Sequence, residues 1–115
     1  MSNSLTIENY QGIVDTWIKE VGGSYFQPTT NVCMLAEEVG EVSRLISRTY
    51  GEQKFKADEA PENFKEALAD ELVDVFFVLT CIANEQGINL EEEVVRNMDK
   101  KYSRDKNRYI SDKEV

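Results

Sequence analysis

Two pairs of acidic residues interrupt apolar rows in this chain of 115 residues. Glu38 and Glu41 stand between apolar residues at steps of three and four, and Glu71 and Asp74 do the same further along. This spacing keeps side chains on one face of a helix, so we expect all four carboxylates to point toward the protein interior or nearly so. The two rows are Met34, Glu38, Glu41, Leu45 and Ala67, Glu71, Asp74, Val78, Cys81.

Four carboxylates that converge in a protein need protons, cationic side chains or a metal ion. Like charges three residues apart on a helix repel, and an unpaired buried carboxylate costs on the order of several kcal/mol. The nearby basic residues Arg44 and Arg48 lie on other parts of the same helix, which favours a hard divalent cation. Oxygen ligands select Mg²⁺, Mn²⁺ or Ca²⁺, and Mg²⁺ is usual where phosphates complete the shell. A partly solvated acidic groove is the alternative that these residues leave open.

The composition excludes several kinds of active site. Because the chain has no histidine, it has no Ser-His-Asp or Cys-His nucleophile, no zinc site with imidazole ligands and no Glu-x-x-His di-iron site. Its 13 basic and 22 acidic residues give a net charge of −9, and such a surface repels the phosphate backbone of nucleic acids. What remains is carboxylate, amine, amide and hydroxyl chemistry, and we expect no nucleic-acid partner.

The cysteines and the apolar segments indicate a location in the reducing cytoplasm. Cys33 and Cys81 each lie in an apolar helical stretch, so we expect two buried thiols and no disulfide framework. The longest apolar run, 75–83, is about half the length of a bilayer span, and the first six residues do not resemble a signal peptide. These observations predict a cytoplasmic protein that does not associate with membranes.

Periodicity predicts four helices and no sheet, within a single domain over 1–115. Thr29 and Thr30 are the two candidates for the N-cap of helix 2. Asn89 is expected to cap helix 4, because Glu92 follows it three residues later. Gly22, Gly23, Gly51 and Gly87 are expected to end helices. The predicted elements are helix 1 over 6–21, helix 2 to residue 50, a long loop over 51–60, helix 3 over 61–87, helix 4 through 102 and a frayed basic tail over 103–115.

Two segments carry a recognisable pattern, LAEEVGEVSRLI at 35–46 and ADELVDVFFVL at 69–79. They resemble the Glu-x-x-Glu and Glu-x-x-Asp signature of MazG-like nucleotide pyrophosphohydrolases, which belong to the all-α nucleoside triphosphate pyrophosphatase superfamily. The resemblance covers nearly the whole chain, including Asn31 before the acidic stretch and the basic segment DKKYSRDKNRY at 99–109. It implies an all-α, four-helix bundle-like MazG fold.

The resemblance also implies an activity and a set of site residues. The reaction would be Mg²⁺-dependent hydrolysis of a nucleoside triphosphate between the α- and β-phosphates, giving a monophosphate and pyrophosphate, in the service of nucleotide-pool house-cleaning. Mn²⁺ would be a substitute for Mg²⁺. The implied residues are Glu38, Glu41, Glu71 and Asp74 for the metal, Glu37 and Glu38 for catalysis with Glu37 orienting the attacking water, and Lys101, Arg104, Arg108, Asn31 and Trp17 for the substrate.

Some of these assignments have a structural alternative. A cationic last turn that complements the helix dipole explains Lys101, Arg104 and Arg108 nearly as well as phosphate binding does. Trp17, Tyr25 and Phe26 are candidates for a slot that holds the base, but Trp17 also lies on the core row of helix 1, which favours core packing for it. The long loop at 51–60 is expected to reshape the substrate pocket.

Helices 2 and 3 carry apolar residues on more than one face, which a four-helix unit this thin would leave in water. We therefore expect a homodimer, or a homotetramer built from two dimers, as compact members of the family commonly form. The neighbouring subunit then often completes the nucleotide pocket, so dilution to the monomer is expected to abolish activity.

Two other functions are compatible with these residues. The chain could be an acidic helical adaptor that binds a basic partner, or a non-catalytic protein that binds Mg²⁺ or nucleotide. An adaptor would tolerate Glu41→Gln or Asp74→Asn with unchanged or improved stability, whereas a hydrolase would lose metal binding and turnover together.

Overall fold

The computed structural model describes the backbone of residues 4–114 and the side chains of 4–106 and 108. Within that part of the chain the fold is all-α and contains no strand, as the sequence predicts. A π-helical turn at Ile18–Gly22 extends the first helix. The four helices are α1 Ile7–Trp17, α2 Pro28–Tyr50, α3 Phe64–Glu85 and α4 Leu90–Glu114.

Local signals set most of the helix boundaries. The Thr6 side chain accepts from the Asn9 backbone N–H at 3.0 Å, and Asn89 accepts from the Glu92 N–H at 3.1 Å, which confirms the predicted N-cap of helix 4. Gly23 and Gly87 have φ values of 88° and 70°, in the left-handed region that favours glycine. The ends of α1 with its π-helical turn and of α3 therefore fall where the sequence predicts them.

Two predicted starts are wrong by a few residues. Helix α2 begins at Pro28 with Gln27 as its N-cap, because proline has no N–H to leave unpaired and already has a helical φ; Thr29 and Thr30 lie inside the helix. Helix α3 begins at Phe64, since the Asn63 side chain caps it by accepting from the Glu66 N–H at 3.0 Å.

Helix α3 lies between α1 and α2. Helices α2 and α3 form the main antiparallel pair, α1 packs on α3, and α4 packs on α1. The core is small, with Val14, Ile18 and Cys81 buried at its centre. The partly buried rings of Tyr10, Tyr25 and Phe77 surround them.

One cysteine prediction is wrong. Cys81 is buried as expected, but Cys33 is exposed. Asn31, two residues before Cys33, is buried, and a helix turns by about 200° over two residues. Cys33 therefore lies on the outer face of α2.

The fold is much less compact than its length predicts. Its radius of gyration is 18.3 Å, whereas a compact chain of this size has about 13 Å. Helix α4 continues to Glu114, past the predicted end at Tyr102, and the frayed tail expected from residue 103 is helical in the described part of the chain. No glycine or proline follows Gly87, so nothing in the sequence breaks the helix there.

Many large apolar side chains remain exposed on the helices. On α2 they include Val32 and Val39, on α3 Leu72 and Val73, and on α4 Val95. This exposure is consistent with the expectation that a second copy covers apolar faces. No helix in the described part of the chain combines the length and the apolar character that crossing a membrane requires.

Helix α2 ends at Gly51, whose backbone lies close to the carbonyl group of Ser47. A Cβ added there would collide with the backbone carbonyl oxygen of Ser47, which accepts the Gly51 N–H at 2.7 Å. We expect Gly51→Ala to destabilise the protein by about 1–3 kcal/mol, since the backbone must shift. Urea unfolding measures this. Gly12→Ala is the control, because no atom lies within 4 Å of its added Cβ; equal effects of the two changes would contradict the prediction.

Candidate active site

Helices α2 and α3 bring acidic residues together at their shared face. One carboxylate oxygen from each of Glu38, Glu71 and Asp74 lies within 4.8 Å of the other two. Glu38 and Glu71 are half-buried and Asp74 is exposed. The cluster therefore opens to solvent on one side, where a ligand can approach.

The cluster is an uncompensated patch of negative charge. Burial raises the pKa of Glu71, and the negative charges of Asp74, Glu41, Glu38 and Asp70 raise it further. All of these neighbouring charges are carboxylates of α2 and α3. A carboxyl in this setting is stabilised by a proton or by a cation.

The donor set fits a hard divalent cation. Two oxygens on opposite sides of one Mg²⁺ lie about 4 Å apart, because each Mg–O bond is about 2.0–2.1 Å long. Small side-chain rotations would close the cluster onto one ion. The structure does not include Glu41 among the three converging carboxylates, but the charge of Glu41 reaches Glu71. Glu37, next to Glu38, is exposed.

The structure does not bring the basic residues of α4 to these acids within one chain. Lys101, Arg104 and Arg108 are exposed on a helix whose main packing partner is α1. Arg104 donates from Nε and Nη2 to the two carboxylate oxygens of Asp105, at 2.9 and 2.8 Å. Its hydrogen bond lowers the pKa of Asp105.

A cavity of about 200 Å³ lies beside the acidic cluster, at the first turns of α2. Trp17 and Asn31, both predicted for the substrate, line it. Trp17 is 47% exposed and its ring meets Phe77 edge-on at 5.5 Å, so it is not fully packed in the core. The lining residues are Trp17, Ile18, Gly22, Ser24, Tyr25, Phe26, Asn31, Met34, Phe77, Val78 and Cys81.

The cavity and the acids lie along one face of α2. Asn31 and Glu38 are seven residues apart, which places them on the same face at a distance of about 10 Å along the axis. Asn31 contacts Glu85 near the end of α3, while Glu38 meets Asp74 about three turns earlier on α3. The cavity and the acidic cluster are therefore neighbours along α2 and α3, since Met34 and Val78 of the cavity wall lie about one helical turn from Glu38 and Asp74.

A polar network holds the cavity wall in place. The Tyr25 hydroxyl donates to Asp15 Oδ1 at 2.6 Å and accepts from Asn84 Nδ2 at 3.1 Å. Gln11 Nε2 donates to Asn84 Oδ1 at 2.9 Å, and Gln11 Oε1 accepts from the Leu90 N–H at 2.8 Å. The network links α1, the loop before α2, α3 and the start of α4.

The hydroxyl of Tyr25 should ionise at a higher pH than that of an ordinary tyrosine. Burial, followed by its hydrogen bond to Asp15, raises the pKa of Tyr25 from 10.0 to about 12. The folded protein therefore keeps this proton where the unfolded chain loses it, so stability falls as pH rises from about 10 to about 12. Urea unfolding across this range should show a steeper loss for the unaltered protein than for Tyr25→Phe; parallel curves would contradict the prediction.

Part of this site was missed from the sequence. Met34, Phe77 and Cys81 line the cavity, but apolar residues on helical rows carry no sign of a ligand. Asn84 had a usable signal, since it follows Phe77 and Cys81 at steps of four and three. It is a polar residue on an apolar row, which is the same pattern that singled out the acids.

Comparison with known proteins places the chain in a family. The model of the MazG nucleotide pyrophosphohydrolase domain matches residues 26–109. The chain belongs to the MazG nucleotide pyrophosphohydrolase family. The region matched in this MazG domain includes the acidic cluster, Asn31 and the basic residues of α4, whereas Trp17 lies outside it.

Relatives of the MazG domain have the same length and fold. The uncharacterised protein YpjD of Bacillus subtilis is 38% identical over 109 residues, which cover 95% of each chain. A crystal structure of YpjD, described as a candidate pyrophosphatase, superposes with a TM-score of 0.74 at 36% identity, over 90% of this chain and 100% of that one.

A second solved structure is the Bacillus-conserved MazG protein, described as a nucleotide pyrophosphohydrolase. It matches with a TM-score of 0.73 at 32% identity, over 92% of this chain and 99% of that one. MazG pyrophosphohydrolases generally depend on a divalent metal, and the acidic cluster provides a candidate site for it.

Proposed function

We propose that this chain hydrolyses a nucleoside triphosphate between its α- and β-phosphates, with Mg²⁺ held by Glu38, Glu41, Glu71 and Asp74. The proposal rests on one observation: three of these carboxylates, from two helices, converge within 4.8 Å of one another. The neighbouring cavity would hold the other end of an elongated ligand whose anionic end lies at the acids. Mn²⁺ would substitute for Mg²⁺, because it also prefers oxygen ligands.

The acidic residues of the site would have two different roles, metal binding and activation of water. Glu38, Glu71 and Asp74 would bind the metal directly, and Glu41 would complete the shell from the same face of α2. A bound Mg²⁺ supplies charge neutralisation on the phosphates and lowers the pKa of water. Exposed Glu37 would accept a hydrogen bond from the attacking water and take its proton. The water oxygen bonds to the α-phosphorus as the bond to the bridging oxygen breaks, and pyrophosphate leaves.

We propose that the basic residues of α4 act between subunits. Lys101, Arg104 and Arg108 lie on a helix that does not pack against the acidic face of its own chain, so in a homodimer or homotetramer they would reach the triphosphate bound by a neighbour. Their positive charges would help to offset the net charge of −9, which otherwise repels a polyanion.

We place this activity in the cytoplasm, as part of nucleotide-pool house-cleaning and without a nucleic-acid partner. The acidic surface supports the last point. The two cysteines are free thiols, which agrees with a reducing compartment.

Product analysis tests the proposed reaction. A panel of nucleoside triphosphates is incubated with the protein in Mg²⁺, in Mn²⁺ and in a chelator, and the products are followed by ³¹P NMR. We expect pyrophosphate and a nucleoside monophosphate in either metal, and nothing in the chelator. Release of orthophosphate would contradict cleavage at the α-phosphate, and binding without release would favour a non-catalytic nucleotide-binding protein.

A further inference from the structure

A second pocket lies where α2 ends and α3 begins. It is open to solvent and has a volume of about 310 Å³, which is large enough for a small anion. Two of its lining side chains, Arg48 and Lys54, are cationic, and none of its described lining residues is acidic. In a chain with a net charge of −9, a pocket of this kind favours an anionic ligand.

The pocket lies on the helix faces that carry the acids. Arg48 follows Glu41 by seven residues on α2, and Phe64 precedes Glu71 by seven residues on α3. Seven residues are close to two full turns, so each pair shares one face of its helix at a separation of about 10 Å along the axis. Because Arg48 and Phe64 line the same pocket, the pocket adjoins the acidic cluster. The cavity at the first turns of α2 adjoins the cluster from the opposite side.

The guanidinium of Arg48 is available to a ligand. Arg48 is half-buried, and its side chain makes neither a hydrogen bond nor an ion pair with any residue that the structure describes. The neighbouring Arg44, by contrast, is paired with Glu59 at 3.2 Å and lies over the ring of Phe55. A guanidinium presents five N–H donors in a planar fork that matches the oxygens of a phosphate group. Arg48 can therefore donate to phosphate oxygens.

Lys54 adds a second positive charge from the loop between α2 and α3. Its Nζ makes one long contact, at 3.5 Å to the Thr49 carbonyl oxygen, which leaves donors of the ammonium group for a ligand. The ion pair between Arg44 and Glu59 joins the same loop to α2. The loop therefore brings Lys54 to the pocket that Arg48 lines.

The aromatic walls of the pocket strengthen its two charges. The Phe55 ring packs under Arg44 at 5.5 Å, and the Phe64 ring meets Tyr50 edge-on at 5.3 Å. Apolar walls lower the local dielectric constant, which increases the attraction between a cation and an anion. A cation in the last turn of α2 also complements the helix dipole, but that role requires neither Lys54 nor a pocket, and it would affect stability rather than the affinity for an anion.

The position of the pocket indicates which anion it binds. Phosphates held at the acids through Mg²⁺ lie next to the bond that breaks, and the outer phosphates continue from there. We infer that Arg48 and Lys54 bind the β- and γ-phosphates of the triphosphate, the half that leaves as pyrophosphate, within the chain that holds the metal. This inference rests on the proposed pyrophosphohydrolase activity. It gives the loop at 51–60 a role in substrate binding.

Product inhibition tests this assignment. Pyrophosphate should inhibit hydrolysis in Mg²⁺, and Arg48→Gln and Lys54→Gln should each raise its inhibition constant about 10- to 100-fold, the scale of losing a hydrogen bond to a charged group. The inhibition constant of the nucleoside monophosphate should not change, because that product lacks the outer phosphates. Lys56→Gln is the control, since it removes the same charge from the same loop but Lys56 does not line the pocket.

Calorimetry with pyrophosphate and Mg²⁺ provides a readout without turnover. The unaltered protein and Lys56→Gln should bind pyrophosphate at least about tenfold more tightly than Lys54→Gln does, and this comparison stands even if Arg48→Gln fails to fold. Unchanged pyrophosphate affinity in Lys54→Gln, or an equal loss in Lys56→Gln, would overturn the inference and leave the pyrophosphohydrolase intact. If no triphosphate releases pyrophosphate, the proposed activity fails, and the calorimetry alone then decides whether the pocket binds pyrophosphate.

Discussion

Glu71→Gln should reduce nucleotide turnover by about three orders of magnitude, on the scale of losing one group that stabilises a transition state. The change should also raise the free energy of unfolding of the metal-free protein. Burial and four neighbouring carboxylates raise the pKa of Glu71, so its ionised form is unfavourable in the folded state, and a neutral amide removes that repulsion. Pyrophosphate release in Mg²⁺ and urea unfolding in a chelator measure the two effects.

Asp70→Asn is the matched control for this change. It removes the same unit of charge from the neighbouring position of α3, but Asp70 is not among the converging carboxylates. It should keep turnover. Mg²⁺ should stabilise the unaltered protein and Asp70→Asn, and it should not stabilise Glu71→Gln, since a ligand stabilises only the state that binds it. Full activity in Glu71→Gln, or lower stability of its metal-free form, would contradict the role given to Glu71.

Met98→Glu should dissociate the protein into monomers. Val95, Met98 and Tyr102 are exposed along one face of α4, and α1 is the main packing partner of this helix. If a second copy covers this face, the new carboxylate would be buried without a partner. Such a charge costs on the order of several kcal/mol, which raises the dissociation constant at least about a hundredfold.

Lys100→Glu is the control for the assembly experiment, because Lys100 lies about 200° around α4 from Met98. Sedimentation of the unaltered chain and of Lys100→Glu should give a multiple of the monomer mass of 13.2 kDa. Met98→Glu should sediment near 13.2 kDa and lose activity if Lys101, Arg104 and Arg108 act on a neighbouring site. An unaltered protein that is monomeric and active would contradict both the assembly and that role.

The sequence predicts the acidic cluster because the signal is local. Glu38, Glu71 and Asp74 stand out as charges on apolar rows, and helical periodicity alone fixes the face on which they lie. The pairing of the two helices is shown by the structure. Helix number, the Asn89 cap and the glycine ends are equally local features, and the structure confirms them.

Other features depend on packing between distant segments. The cavity forms where the π-helical turn, the loop before α2 and the middle of α3 meet, and no spacing within one helix reveals such a meeting. The burial of Asn31 and the exposure of Cys33 are decided by how α2 turns against α3, and apolar periodicity on several faces leaves that choice open. The length of α4 was underestimated because its polar residues after Tyr102 have no apolar row to mark a helix, although they are acceptable helix formers.

Anomalous diffraction from a crystal grown with Mn²⁺ and a non-hydrolysable nucleoside triphosphate analogue tests the central claim most directly. The account predicts an anomalous peak within about 2.0–2.3 Å of carboxylate oxygens from Glu38, Glu71 and Asp74, with the α-phosphate beside it. An active protein whose Mn²⁺ lies elsewhere, with these three carboxylates directed into solvent, would contradict it.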